Sequence, residues 1–384
     1  MNTDSRNKKK ILYIENVASI FAVNFYIAAA KAAQQLGYEF HVAYNAFDYS
    51  KENKKKIFEQ YGVIFHQIDF IRQPYHLGNI KAFKQICNLI EKEKIDYIHC
   101  NTPIGGVVGR LAGLKCKVKK VIYQAHGFHF FEGSSAVNWL IYYPIEKILA
   151  HFTDTLITIN KEDYNLAKKK MHLRGNGKVY YVPGVGVDLE QFKNDVDRKV
   201  VRESLGFTDK DIVCIAMGDL IKRKNYSVAI EAIGNLKNEF TNLHIIICGE
   251  GPEKESLKAL ARKMDIRDRI HFLGFRSDIK DLLAVSDFFF FTSLQEGMPR
   301  STSEAMASGL PILCSAIRGN VDLIDSKSGL LFNPNSIKDT TNKLEMFLKS
   351  DFKKMGSYNL NHIKEFSLDH VTEYLFKIYS IELI

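Results

Sequence analysis

One pattern governs what this chain can fold into. Short unbroken apolar runs alternate with segments of helical period, and the alternation stops once and then resumes. The strand-like runs in the first half are residues 11–14, 39–43, 97–100, 121–124 and 155–159, with helical patterns at 22–36, 80–93, 105–112 and 135–150. The pause is Tyr181-Val182-Pro183-Gly184-Val185-Gly186-Val187-Asp188. Strand-like runs return at 212–218, 243–248, 270–273, 288–291 and 311–314, with helical patterns at 226–238, 253–264, 278–285 and 300–307. Runs of Val, Ile and Phe without polar alternation are what strands buried on both faces require. Strand–helix–strand repetition gives parallel sheets with right-handed crossovers, and Gly and Pro mark the break. The expected fold class is α/β: two doubly wound, Rossmann-like parallel-sheet domains facing across a cleft. The first domain is expected over 1–183 and the second over 184–364, followed by a helical tail over 365–384. That tail is amphipathic through Val371, Leu375 and Ile378.

Length agrees, since 384 residues exceed one comfortable core and suit two. The 6 Cys include several inside apolar runs, such as Cys214 and Cys248, and no C-x-x-C pair occurs. They read as reduced, buried small side chains, which points to the cytoplasm. After Lys8-Lys9-Lys10 the apolar run is only four residues long before Glu15, too short for a signal peptide, so it reads as a first strand. No transmembrane helix is expected. The net charge is +9, and basic residues cluster at 51–56, 115–120 and 168–174. No nucleic-acid motif accompanies them. They are solvated faces or, on a sharper reading, a basic surface for peripheral contact with an anionic membrane.

Three motifs carry chemistry. Glu296-Gly297-Met298-Pro299-Arg300-Ser301 opens a helix directly after a strand, and Glu304 lies one turn further on. An exposed helix N-terminus offers free N–H groups and a positive dipole end, which suits a diphosphate. Ionised carboxylates accept hydrogen bonds only, which suits pairs of sugar hydroxyls. The second motif, Gly218-Asp219-Leu220-Ile221-Lys222-Arg223-Lys224, puts three bases at the end of a strand; Lys can reach two phosphates and Arg can grip one bidentately. The third, Ala125-His126-Gly127-Phe128-His129, follows a strand of the first half. For His126 a role at the ligand is the favoured reading, for His129 a structural one.

These motifs resemble glycosyltransferase family 4, the retaining nucleotide-sugar transferases of the GT-B fold, and the stretch from Glu296 to Pro311 is similar to their E-x7-E signature. Gly249-Glu250-Gly251-Pro252, Phe272-Leu273-Gly274-Phe275-Arg276 and the Pro183–Asp188 hinge add to the likeness. His126-Gly-Phe-His-Phe-Phe with Asn138-Trp139-Leu140-Ile141-Tyr142-Tyr143 is similar to a capsule, exopolysaccharide and lipid-linked-oligosaccharide branch. The resemblance implies Glu296, His126 and Lys224 as catalytic groups. It implies Glu304 on the ribose hydroxyls, and Arg223, Gly218, Gly297, Met298, Pro299, Arg300, Ser301, Phe275, Arg276 and Gly251 as donor-binding. Asp219 stands where many members carry Arg, so Arg223 or Lys222 has to supply that charge. It further implies a nucleotide-sugar donor, expected to be UDP-linked, and an undecaprenyl-diphosphate-linked or polysaccharide acceptor held near residues 16–24. No metal and no other cofactor is expected; the Asp195-Val196-Asp197 run reads as an exposed loop. The last helix is expected to cross back to the first domain. The Trp139–Tyr143 aromatics read either as core or as a face for lipid headgroups.

Two rival classes share this architecture. A nucleotide-sugar 2-epimerase-like isomerase would bind the same donor without an acceptor, and a non-catalytic GT-B scaffold would be expected to lose Glu296, Glu304 or Lys224. A glycosidase using Glu296 and Glu304 as its carboxylate pair is a poorer third.

Overall fold

The structure, a computed structural model, describes residues 8–20, 22–193 and 196–383. The polar tail ahead of Lys8, Phe21 in the 16–24 loop and Asp195 of the Asp-x-Asp run lie outside the described residues. The chain forms two compact units. One runs to Gly186 and takes in the segment from Leu368 onward; the other is Val187–Ser367. Each break falls a few residues beyond the expected 183 and 364.

The first unit alternates β1 (Lys10–Ala18), α1 (Ile27–Gln35), β2 (Glu39–Ala46), α2 (Lys51–Tyr61), β3 (Ile64–Gln67), α3 (Gly78–Glu93), β4 (Tyr97–Asn101), α4 (Pro103–Lys115), β5 (Lys120–Ala125), α5 (Ala136–Ala150), β6 (Thr155–Thr158), α6 (Lys161–Lys170) and β7 (Lys178–Tyr181). Its seven strands pair in parallel in the order β3-β2-β1-β4-β5-β6-β7. The sequence reading passed over α2, β3, α6 and β7. The lysines at 51–56 belong to α2, where Ile57 is the one buried side chain, so apolar periodicity is nearly silent there. The strand β7 directly precedes the Gly-Pro break, and its neighbourhood masked it.

The second unit carries α7 (Arg198–Ser204), β8 (Ile212–Met217), α8 (Tyr226–Asn235), β9 (Leu243–Cys248), α9 (Lys254–Lys263), β10 (Ile270–Gly274), α10 (Ile279–Val285), β11 (Phe288–Phe291), α11 (Arg300–Ala307), β12 (Ile312–Ser315), α12 (Asn320–Leu323), β13 (Gly329–Phe332), α13 (Ile337–Leu348) and α14 (Phe352–His362). Its sheet runs β10-β9-β8-β11-β12-β13, again with parallel pairs. β11 shows why these runs lack polar alternation. Phe288 and Phe290 enter the core on one face of the sheet, Phe289 and Phe291 the core on the other.

In both sheets the strand order reverses once, between β1 and β4 and between β8 and β11. At such a switch point the loops leaving the two strands diverge to opposite faces and open a crevice at the carboxyl edge.

The last helix, α15 (Leu368–Glu382), packs on α1. Small residues in α1 (Ala28, Ala29, Ala32, Ala33) let the two helices approach, and α15 buries Val371, Leu375, Ile378 and Tyr379. Polar contacts fix its register: Tyr379 Oη lies 2.5 Å from His99 Nδ1, Tyr97 Oη donates to the Leu383 carbonyl at 2.5 Å, and Tyr180 Oη donates to Glu382 at 2.6 Å. The second unit is entered and left at one place, where the Val187 N–H donates to the Phe366 carbonyl at 3.0 Å.

Candidate active site

At the switch point of the second unit, the loop after β8 meets the loop after β11. Lys224 Nζ lies 2.8 Å and Arg223 Nη1 2.6 Å from Glu296 Oε1, and Ser293 Oγ donates to the same oxygen at 2.8 Å. Backbone bonds hold the loops together: Leu294 N–H donates to the Arg223 carbonyl at 2.8 Å, and Thr292 Oγ1 donates to the Lys224 carbonyl at 2.8 Å. Lys224 is half-buried, with its ammonium 5.2 Å from the centre of the Phe291 ring. Arg318, buried and absent from the sequence-derived site, donates from Nε to the Glu296 carbonyl at 3.0 Å and so fixes the backbone of that loop. Its sequence signal is weak, a base shortly after a strand; Ser293 has none beyond following β11.

Close backbone approaches explain three glycines here. A Cβ on Gly249 would sit 2.0 Å from the Gly218 carbonyl oxygen, so the ends of β8 and β9 touch backbone to backbone. Gly319, at φ +82°, would place a Cβ 2.3 Å from the Gly297 carbonyl oxygen. Gly251 is pressed against Leu220 in the same way.

The helix α11 begins at Arg300 with Pro299 at its N-cap, and no side chain caps it. Its first N–H groups are therefore not taken by a cap side chain. Arg300 Nε pairs with Glu304 Oε1 at 2.7 Å one turn along. Burial pushes the Glu304 carboxyl above the usual range, and Arg300 works against that shift. Met298 packs on the core beneath, while Gly297 and Ser301 are half-buried. Phe275 and Arg276 follow β10, the edge strand. Phe275 is 85% exposed, and Arg276 forms a bidentate pair with Asp278. Asp219 is exposed, whereas Arg223 lies in the Glu296 cluster.

His126 belongs to the first unit, just beyond β5. Its Nε2 is buried and has no hydrogen-bond partner among the described residues. Burial pushes its pKa down to about 4, so the ring is neutral at neutral pH. It stands at the carboxyl edge of a polar row that the sequence reading did not single out. Asn101 pairs in register with Gln124, and Cys100 with Ile14, which places Glu15 level with Asn101 at the β1–β4 switch point. Glu15, His99, Asn101 and Gln124 are all buried. Neither amide atom of Asn101 has a partner among the described residues, and the same holds for Asn16 Oδ1 and His99 Nε2. Thr102, next along, adopts φ +60°, a strained conformation for a β-branched residue. Burial pushes the Glu15 carboxyl up to about 8. The signal that was available is an acid ending an apolar strand. His129 stacks on Tyr142 at 4.6 Å between ring centres, a packing role.

Sequence families agree with this architecture. The profile described as Glycosyl transferases group 1 matches residues 197–362, and that described as Glycosyl transferase 4-like matches residues 10–160. The chain is 32% identical over 379 residues to EpsD of Bacillus subtilis (strain 168), a protein assigned as a glycosyltransferase, over 97% of this chain and 96% of that one. It is 31% identical over 273 residues to the UDP-Gal:alpha-D-GlcNAc-diphosphoundecaprenol alpha-1,3-galactosyltransferase of Escherichia coli, over 70% of each. In fold it is similar to Anabaena Alr3699/HepE, solved in complex with UDP and glucose, with a TM-score of 0.78, 19% identity and coverage of 97% of this chain and 99% of that one. The class is thus a glycosyltransferase of the GT-B fold. Within it, the chain belongs to the group 1, family 4 glycosyltransferases, in their capsule and exopolysaccharide branch.

Proposed function

We propose that the protein is a retaining, metal-independent glycosyltransferase. It moves a hexose or N-acetylhexosamine from a UDP-sugar to a lipid-linked or growing-polysaccharide acceptor, at the inner face of the membrane. The observation that carries this reading is the convergence of Lys224 and Arg223 on one oxygen of Glu296, after β8 and β11, with the uncapped start of α11 following in the same loop. Anion-binding groups and a sugar-binding carboxylate then share one crevice edge.

In this reading the diphosphate takes up Lys224, Arg223 and the first N–H groups of α11. Glu304 accepts from the ribose hydroxyls, and Glu296 offers the sugar its Oε2, which takes none of the three bonds made to Oε1. Phe275, exposed after β10, lies against the base. The C1–O bond to the β-phosphate breaks as the acceptor oxygen bonds to C1 on the same face. The acceptor proton passes to the departing phosphate oxygen. Charge grows on that phosphate, and preorganised cations and N–H groups there lower the barrier. His126, neutral and with an unpartnered Nε2, is suited to a sugar hydroxyl. The acceptor is held at the carboxyl edge of the first sheet, near residues 16–24, where Asn16 and Asn101 present unpartnered polar atoms. The diphosphoundecaprenol acceptor in the name of the Escherichia coli relative supports a polyprenyl diphosphate as acceptor class.

The test is UDP release from a panel of UDP-sugars, with and without a bacterial membrane lipid extract. Release that needs one sugar and the lipid supports the proposal. Conversion of the nucleotide sugar itself, with no acceptor, replaces it with an isomerase, and inertness under every condition replaces it with a scaffold.

A further inference from the structure

The helix α5 is turned the wrong way round for a helix in water. Val137, Leu140, Ile141, Pro144, Ile145 and Ile148 fall at i, i+3, i+4, i+7, i+8 and i+11, a single stripe, and all six are exposed. Val137 is 61%, Leu140 76% and Ile148 60% exposed. A surface helix of a soluble domain shows water its polar side instead. The only charged residue exposed on α5 is Lys147.

The orientation is fixed from beneath. Trp139 and Tyr143 pack on Phe130, each with ring centres 5.4 Å apart, so these aromatics face inward. Between them and the helix end, Glu146 meets the buried Arg110 of α4 in a two-point pair at 2.7 and 3.2 Å, and Tyr123 Oη donates to it at 3.2 Å. The Arg110 guanidinium lies 3.8 Å from the centre of the Tyr123 ring. Rolling α5 to hide its aliphatic stripe would strip a buried cation of its partner, which is far costlier than leaving the stripe out. The neighbouring α4 adds Leu111 and Leu114, both exposed, followed by exposed Lys115 and Lys117.

We propose that α5 is a membrane-docking helix. Its outward stripe lies in the headgroup–acyl boundary of an anionic bilayer, with Lys147, Lys115 and Lys117 against lipid phosphates. This deepens the membrane reading above and rests on it. Charge selects this occupant. The exposed residues of α5 include no acid, so a second copy would set lysine against lysine, whereas anionic headgroups attract each base. Geometry agrees: the 15 residues of α5 reach about 22 Å at 1.5 Å per residue, suited to lying in the interface plane. Among the described residues no helix is long and apolar enough to cross a membrane.

The experiment is co-sedimentation of the full chain with vesicles of phosphatidylcholine alone, or mixed with phosphatidylglycerol. It compares the wild type, the double variant Leu140→Ser/Ile148→Ser, and Lys147→Glu. UDP release from the preferred donor is measured in parallel without vesicles, with the bacterial membrane lipid extract dispersed in detergent as the acceptor. The expected result is wild-type binding to the phosphatidylglycerol vesicles, reduced roughly tenfold or more in the double variant and less in Lys147→Glu, with vesicle-free UDP release unchanged. Equal binding by all three proteins, or none by the wild type, overturns the docking helix. So does wild-type self-association in sedimentation equilibrium that the double variant abolishes, since the stripe is then a contact between copies. Loss of UDP release in every protein with vesicle binding intact leaves docking standing and defeats the transferase reading instead.

Discussion

At the residue scale, the second unit gathers its charges around one carboxylate oxygen. Lys224, Arg223 and Ser293 all meet Glu296 Oε1, so the crevice holds cations whose charge is only partly spent. On the proposed function, removing Lys224 takes away a donor aimed where charge grows, and removing Glu304 takes away the ribose contact. Each of Lys224→Ala and Glu304→Ala is expected to cost at least ~100-fold in turnover, measured as UDP release on the preferred donor. Near-normal rates in both would sink the donor site. In the first unit Glu15 titrates near 8 rather than near 4.5, because burial disfavours its charge. Folding therefore takes up a proton between those two values. The stabilisation is full below about pH 4.5 and is lost as pH rises through about 8. Glu15→Gln stays neutral throughout, so thermal melts of the variant should decline less from acid toward pH 8 than those of the wild type. Parallel profiles would show that Glu15 is already ionised in the fold.

At the element scale, what matters is how helices and loops are locked to the sheets. α5 is held by Trp139 and Tyr143 packing on Phe130 and by one ion pair, the buried Arg110 with Glu146. Glu146→Ala leaves the guanidinium buried and unpaired, with an expected loss of about 3–5 kcal/mol in denaturant unfolding of the first unit. The double change Arg110→Met/Glu146→Leu should recover most of that, because it removes the charge along with its partner. If the double variant proved as unstable as the single, the cost would lie in packing and not in charge. The loops of the candidate site are locked differently, by backbone contact at Gly249 and Gly319, where any side chain would displace a carbonyl.

At the scale of the molecule, two cores share one chain that leaves the first unit and returns to it. The final helix completes the first core: Val371, Leu375, Ile378 and Tyr379 belong to the same buried cluster as Tyr13, Phe40 and Ile122. Truncation before Leu368 uncovers that cluster and removes the Tyr379 contact to His99. Calorimetry of the truncated protein should show the transition of the first unit lowered or abolished and that of the second, Val187–Ser367, retained. A single transition shifted as a whole would mean the units do not melt separately.

The sequence by itself determined the class of fold and the break between its halves, because buried parallel strands demand unbroken apolar runs and Gly-Pro segments cannot continue them. It marked Glu296, Lys224, Arg223 and Glu304 through local spacing, since each sits within a few residues of a strand end or helix start. Only the tertiary structure decided what no local window contains. The meeting of Arg318 with the Glu296 loop joins residues on separate strand ends. The level row of Glu15, Asn101 and Gln124 depends on the register of three strands distant in sequence. The side of α5 that faces outward follows from a pair formed across two helices: aliphatic periodicity is the same whether a stripe is buried or exposed, and the buried charge of Arg110 settles which it is.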